Sequence, residues 1–125
     1  MKTLVSALAI LLASVAASYA AEPAKVMDSK AGKIYTDAKG MTLYTFDKDA
    51  KDKSSCEATC AENWPPLKAA ADAKAEGEWT LIKRKDGSHM WAYDGKALYT
   101  FVGDKKAGDM AGDGKGGVWH VAKAN

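Results

Sequence analysis

The chain contains few of the residues from which catalytic and metal centres are usually built. Its 125 residues include only two cysteines and two histidines. Two histidines by themselves do not make a convincing catalytic centre. The sequence also has no P-loop, no dinucleotide-binding glycine fingerprint, no nucleophile elbow and no His-Glu-x-x-His zinc motif. We therefore favour a non-enzymatic protein and keep an enzyme as the weaker alternative.

A strong charge of either sign is absent as well. Of the 18 basic side chains only Lys2 lies within the first 20 residues, so 17 basic and 16 acidic side chains remain beyond them. Nucleic acids and anionic membranes are bound by strongly basic surfaces. The near balance therefore predicts no nucleic-acid partner.

Long apolar runs are missing except at the start of the chain. Lys2 precedes an apolar segment at residues 4–17, and Ser18 and Ala20 place small residues where a signal peptidase reads them. The run is too short to span a bilayer comfortably. We predict a signal peptide at residues 1–20, cleavage near Ala20 and one domain at residues 21–125. The expected location is the periplasm or outside the cell, with no transmembrane segment after processing.

One ten-residue stretch occurs twice in this short chain. GMTLYTFDKD at residues 40–49 is matched by GKALYTFVGD at residues 95–104, an offset of 55 positions. The same offset relates Trp64 to Trp119, so the register holds well beyond the ten residues. We interpret this as two copies of one supersecondary unit, at about residues 33–67 and 88–122.

Each copy is predicted to begin as a β-hairpin. In the first, residues 33–36 and 41–46 flank a turn at 37–40. In the second, Asp94 and Gly95 form a tight turn between residues 89–93 and 96–102, because Gly accepts a positive φ without penalty. Further strands are expected at residues 79–85 and 118–122.

The connections between strands suggest little helix. Ser54 followed by Glu57 resembles a capping box for a helix at residues 55–62, and residues 67–78 read as either a short helix or a loop. Alternation along the duplicated strands puts Tyr44 on one face and Leu43 on the other. The sequence therefore predicts a mainly β domain, a small antiparallel meander or barrel built from two internal repeats, with one short helix near the cysteine pair.

The duplicated motif also points to a family. YTFDKD at residues 44–49 and YTFVGD at 99–104 resemble the Tyr-x-(Phe/Trp/Tyr)-x-x-Asp motif of a family of bacterial secreted repeat proteins described as predicted lipoproteins. CEATCAENWPPL at residues 56–67 looks like this family's first repeat, and GDGKGGVWHVA at 112–122 looks like its closing segment. The resemblance implies export and a repeat fold but supplies no established activity. The chain departs from the family in having no cysteine near the cleavage site to accept a lipid.

The two cysteines carry the clearest chemistry. Cys56 and Cys60 are spaced C-x3-C, and in an exported protein such a pair is expected to form a disulfide. A redox-active or copper-binding pair is the alternative, because thiolates beside His or Met suit copper(I). His89 and His120 are the remaining candidate ligands, although their spacing matches no metal motif. No cofactor is predicted, and copper stays the alternative.

The repeated aromatic and acidic residues form the last candidate site. Aromatics beside carboxylates suit sugars or cations, so these residues could line a binding face. The competing interpretation, which we favour, is that the rings fill the core while each aspartate caps a turn. The residues concerned are Tyr44, Phe46, Asp49, Trp64, Tyr99, Phe101, Asp104 and Trp119.

These patterns lead to one functional hypothesis with one competitor. The first is an exported, non-enzymatic cell-envelope repeat protein that acts as a binding or structural module on an envelope protein or polysaccharide. The alternative is a periplasmic redox or copper-handling protein that uses Cys56 and Cys60.

Overall fold

The computed structural model describes residues 23–124, so the predicted signal peptide lies outside the described part of the chain. Short strands dominate that part. They are β1 (Lys25–Ser29), β2 (Gly32–Thr36), β3 (Tyr44–Phe46), β4 (Lys68–Ala69), β5 (Trp79–Lys83), β6 (His89–Tyr93), β7 (Lys96–Ala97) and β8 (Trp119–Val121). A five-residue helix α1 (Thr59–Asn63) and a 3₁₀ turn at Lys115–Gly117 complete the regular structure.

The strands form three small antiparallel sheets. β1 pairs with β2, β3 pairs with β8, and β6 lies between β4 and β5 while its end also pairs with β7. Across residues 23–124 these sheets do not close into a barrel. The prediction of a mainly β fold from two repeats, with a short helix beside the cysteine pair, is confirmed.

The two predicted hairpins form to different extents. Asp94 and Gly95 both have positive φ, 52° and 78°, as a two-residue hairpin turn of the primed type requires, and β6 and β7 pair across them. The first hairpin is looser. Its turn is closed by the Asp37 carboxylate, which accepts the backbone N–H of Lys39 and of Met41. Regular strand resumes only at Tyr44, and the partner of β2 is β1.

The end of each repeat pairs with the other repeat. In β8 of the second copy, Val121 pairs with Tyr44 of the first. Symmetrically, Pro66 of the first copy pairs with Tyr99 of the second. Tyr44 and Tyr99 exchange two backbone hydrogen bonds, of 2.7 and 3.0 Å, where the two motif strands meet. This crossing makes the two copies one folding unit.

Both faces of the duplicated strands are buried. Tyr44 and Tyr99 are fully buried in the larger of two hydrophobic clusters, and Leu43 and Leu98 lie in the smaller one. Because side chains alternate along an extended strand, one short segment supplies both clusters. The alternation predicted from the sequence is therefore confirmed.

One local prediction is wrong. Helix α1 begins four residues later than predicted, after Ala58, which has a positive φ of 52° and no side-chain cap. The capping box does not form, because Ser54 bonds Tyr99 and Arg84, and Glu57 pairs with Arg84. Of the two alternatives for residues 67–78, the loop is the one that forms, since Lys68–Ala69 joins the edge of β6 and the rest is turn and loop.

Candidate functional site

The tyrosine of each motif binds the aspartate of the other repeat. Tyr44 donates its hydroxyl hydrogen to Oδ2 of Asp104 over 2.7 Å, and Tyr99 donates to Oδ2 of Asp49 over 2.6 Å. Within one repeat the two residues are only five positions apart and are separated by a turn, in which the N–H of the aspartate donates to the carbonyl of Phe46 or Phe101. We call these two reciprocal bonds the tyrosine–aspartate latch.

The second oxygen of each aspartate holds a connecting loop. Oδ1 of Asp104 accepts the backbone N–H of Ala111 over 2.8 Å, and Oδ1 of Asp49 accepts that of Ser55 over 2.7 Å. Asp104 is only 6% exposed. Each carboxylate therefore joins its own repeat, the partner tyrosine and a loop.

The latch tyrosines are held in their neutral form. Burial raises the pKa of Tyr44 well above its ordinary value, and the hydrogen bond to Asp104 raises it further. Burial and the bond to Asp49 raise the pKa of Tyr99 in the same way. A phenol that stays protonated beside a carboxylate is a hydrogen-bond donor rather than a general base at neutral pH.

The other motif aromatics form a continuous stack. The two indoles of Trp64 and Trp119 lie face to face, 3.8 Å between centroids and 3° from parallel. Phe46 covers the outer face of Trp119 at 4.1 Å, and Phe101 covers that of Trp64 at 4.2 Å. The stack obeys the 55-residue offset, and both tryptophans are 6% exposed. Both tryptophans belong to the larger hydrophobic cluster, and Phe46 and Phe101 pack against it.

The glycine-rich loop lies against this stack. A Cβ atom at Gly112 would come within 2.6 Å of the Trp64 ring. The backbone N–H of Gly112 also donates to the Tyr44 hydroxyl over 3.2 Å. Only a residue without a side chain fits between the indole and the latch.

The predicted disulfide is present and anchored by a residue that the sequence reasoning missed. Cys56 and Cys60 are bonded at an S–S distance of 2.03 Å. The buried guanidinium of Arg84 donates to the Cys56 carbonyl over 2.9 Å and pairs with Glu57 over 3.1 Å. The Nη1 atom of Arg84 donates to Oγ of Ser54, and this oxygen lies 2.6 Å from the Tyr99 hydroxyl. An arginine surrounded by Lys residues in the sequence gave no signal of this role.

The two histidines are not gathered into a metal site. His89 lies on β6, and exposed His120 on β8 is 2.8 Å from the Asp47 carboxylate. Within residues 23–124 no three His, Cys, Asp or Glu side chains are grouped so that they could hold a metal ion.

A separate groove opens beside β5 and β6. It has a volume of about 810 Å³. Its lining combines the rings of Trp79, Trp91 and Tyr93 with residues of the loop at 72–78. All three rings are half-buried. On β6, Trp91 and Tyr93 alternate with buried Met90 and Ala92, so they occupy its outward face.

The aromatic groove, as we name this site, was not found from the sequence. Outward positions of an antiparallel sheet are usually polar. Alternation along residues 89–93 places two aromatic residues, Trp91 and Tyr93, at such positions, and this pattern could have indicated the groove. Trp91 belongs to neither core cluster, whereas Trp79 and Tyr93 pack partly against the smaller one. Trp91 therefore contributes least to the core and most to the groove.

Comparison with known proteins places the chain in a family. A family model described as a secreted repeat of unknown function matches residues 25–68 and 80–123, which together are more than half of the chain. Searches of curated proteins and of solved structures found no match. No helix within residues 23–124 has the length and apolar character needed to cross a membrane. The first match begins with β1 at Lys25, and the second begins at Thr80, the second residue of β5. The chain belongs to the family of secreted repeats of unknown function.

Proposed function

We propose that this protein is an exported, non-enzymatic binding module of the cell envelope whose ligand binds in the aromatic groove. The observation that carries the proposal is the outward placement of Trp91 and Tyr93 on β6 next to a groove of ligand size. Ligand sites are typically concave, about 300–1,000 Å³, and lined by aromatic side chains with a few polar groups. This groove has that size and that lining.

The duplicated motif supports a scaffold rather than a catalyst. The hydroxyls of Tyr44 and Tyr99 and the carboxylates of Asp49 and Asp104 already bond one another and the loops. Groups held in this way are not free to exchange protons with a substrate. The motif therefore supports a rigid frame that carries the groove.

Export is supported by the family description and by the cysteine pair. The matched family is one of secreted repeats. Both cysteines are joined in a disulfide, which is the form expected in an oxidising compartment. An envelope polymer is the ligand that a small exported module would meet there.

The test is binding of the purified protein to two defined polymers, cell-wall sacculi and purified envelope polysaccharide, by co-sedimentation. We expect saturable binding to one of them, weakened about tenfold by Trp91→Ala, because a stacking or cation–π contact contributes about 1–2 kcal/mol. The matched control is Val102→Ala, which removes an exposed apolar side chain outside the groove. Binding that Trp91→Ala leaves unchanged, or soluble fragments released from the polymer, would contradict the proposal.

The redox alternative has one observation in its favour. Cys60 is half-buried while Cys56 is fully buried, so a thiol could attack the disulfide at Cys60. This alternative requires the pair to exchange readily with glutathione. Equilibration of the folded protein in glutathione buffers, followed by counting of free thiols, separates the two. A pair that stays oxidised across physiological buffers would exclude the redox role.

A further inference from the structure

The charge distribution around the aromatic groove is one-sided. Three of its lining residues are acidic, Asp72, Glu76 and Glu78, and Lys74 is the one basic residue among them. All four are exposed. None of the three carboxylates forms a salt bridge with any residue from 23 to 124. The whole chain carries a formal charge of +2, so the negative character belongs to this groove and not to the protein at large.

The rings of the groove meet at steep angles. Trp79 and Trp91 stand 87° apart with centroids 6.3 Å apart, and Trp79 and Tyr93 are tilted by 56° at 4.8 Å. A sugar ring stacks best when its apolar C–H face lies on one broad open aromatic face. Rings set at steep angles instead form a corner, which can contact a compact rounded group from two sides. Aromatic rings placed in this way attract alkylammonium groups through the electron-rich ring faces.

These two observations select the same kind of ligand. The ring quadrupoles attract a cation that lies over the rings. The three carboxylates of the groove lining, which form no salt bridge within residues 23–124, add Coulomb attraction. A neutral sugar would gain hydrogen bonds from the carboxylates but no attraction between opposite charges, and an anion would be repelled. We infer that the aromatic groove binds an alkylammonium group carried by the ligand. This inference rests on the proposed function, because it names the chemical group that the binding module recognises.

The four tryptophans of the chain allow a direct test by NMR. Trp79 and Trp91 line the groove, while Trp64 and Trp119 are buried in the stack and report on nonspecific change. The indole N–H signals of ¹⁵N-labelled protein are followed during titration with choline, a quaternary ammonium, and with n-butylammonium, a primary one. The control ligand is 3,3-dimethyl-1-butanol, the neutral isostere of choline. An N-acetylglucosamine oligomer tests the sugar.

We expect choline, n-butylammonium or both to move the Trp79 and Trp91 signals and leave those of Trp64 and Trp119 in place. The two ammonium probes then show which class of amine is preferred. The neutral isostere should bind much more weakly. If it binds as tightly as choline, or if only the sugar oligomer moves the groove signals, the inference is wrong.

Removing the negative charges of the groove provides a second test of the inference. The variant Asp72→Asn/Glu76→Gln/Glu78→Gln should weaken binding of the ammonium probe about tenfold, from three unit charges at roughly 8 Å in water. The matched control Asp28→Asn/Glu62→Gln/Asp86→Asn removes the same charge from exposed positions outside this groove and should leave binding within about twofold. Equal loss in both variants would overturn the assignment of the carboxylates.

The two proposals can fail separately. Polymer binding that depends on Trp91, without any ammonium binding, keeps the binding module and removes the alkylammonium ligand. Ammonium binding in the groove, without any polymer binding, keeps the ligand assignment and removes the polymer as its source.

Discussion

Removing one hydroxyl of the latch should destabilise the fold far more than its size suggests. In Tyr44→Phe, the carboxylate of Asp104 loses a 2.7 Å donor while it stays 94% buried, since its exposure is 6%. The N–H of Gly112 loses its acceptor at the same time. A hydrogen bond to a charged group contributes about 1.5–3 kcal/mol, and a buried partner left unsatisfied adds to that loss. We expect the free energy of unfolding to fall by about 2–3 kcal/mol.

The same change in the other half of the latch should cost less. Asp49 is half-buried, and its second oxygen keeps both the N–H and the hydroxyl of Ser55. Water can also replace part of the lost bond. We expect Tyr99→Phe to cost about 1–2 kcal/mol. Tyr99→Phe also removes the 2.6 Å contact of its hydroxyl with Ser54, but Ser54 keeps the Arg84 donor. Both tyrosines are fully buried, so we assign the difference between the two variants to the burial of the two aspartates.

Urea unfolding followed by tryptophan fluorescence measures these values. The control is Tyr93→Phe, whose half-buried hydroxyl has no hydrogen-bond partner within residues 23–124 and should cost less than about 0.5 kcal/mol. A double-mutant cycle of Tyr44→Phe with Asp104→Asn should give a coupling of at least about 1 kcal/mol. If Tyr44→Phe unfolds at the same urea concentration as Tyr93→Phe, the latch does not stabilise the fold and our reasoning is refuted.

Three further predictions concern pH, the disulfide and a turn. Because the folded-state pKa values of Tyr44 and Tyr99 are raised above the ordinary value of 10.0, the stability they contribute is complete below about pH 10 and is lost as the pH rises further. The urea concentration at the unfolding midpoint should therefore decrease as the pH rises from 9 to about 11.5. The decrease should be smaller for the Tyr44→Phe/Tyr99→Phe variant, and parallel pH curves of the variant and the wild type would contradict this. Replacing Cys56 and Cys60 by Ala should cost about 2 kcal/mol, from a closed loop of only about five residues, and leave the far-UV circular dichroism of the sheets unchanged. A loss of sheet signal would mean that the disulfide holds more than its own loop. Gly95→Val should cost about 1–2 kcal/mol, because φ there is +78° and a Cβ would come within 2.7 Å of Lys51 Cγ. Gly95→Asn meets the same side chain but tolerates the positive φ, so it should cost less than Gly95→Val. Equal melting of Gly95→Val and wild type would disprove the turn.

The aromatic stack shows why the two repeats could be recognised from the sequence, whereas the packing of one repeat against the other could not. The 55-residue offset of Trp64 and Trp119 is visible in the sequence, and it correctly indicated two copies of one unit. The offset says nothing about how the copies face each other. Face-to-face contact of the indoles at 3.8 Å follows only from the crossing of the two closing segments.

Arg84 and the aromatic groove show the other limit. Arg84 reaches Cys56 and Glu57 from 28 and 27 residues away in the chain. The groove combines β6 with a loop more than ten residues earlier. Local patterns report on hydrogen bonds and turns between near neighbours, and contacts of this range depend on the packing of whole elements. The capping box failed for the same reason, since Ser54 and Glu57 bond distant partners instead.

The sequence by itself therefore determined the features that near neighbours control. These are the two repeats, the Asp94–Gly95 turn, the opposite faces of Tyr44 and Leu43, and the cysteine pair, whose members are four residues apart. The tertiary structure alone decided the partners of the motif. Tyr44 bonds an aspartate 60 residues away and Tyr99 one 50 residues away. Neither tyrosine bonds the aspartate that lies five residues on in its own copy, so the latch depends on the docking of one repeat on the other.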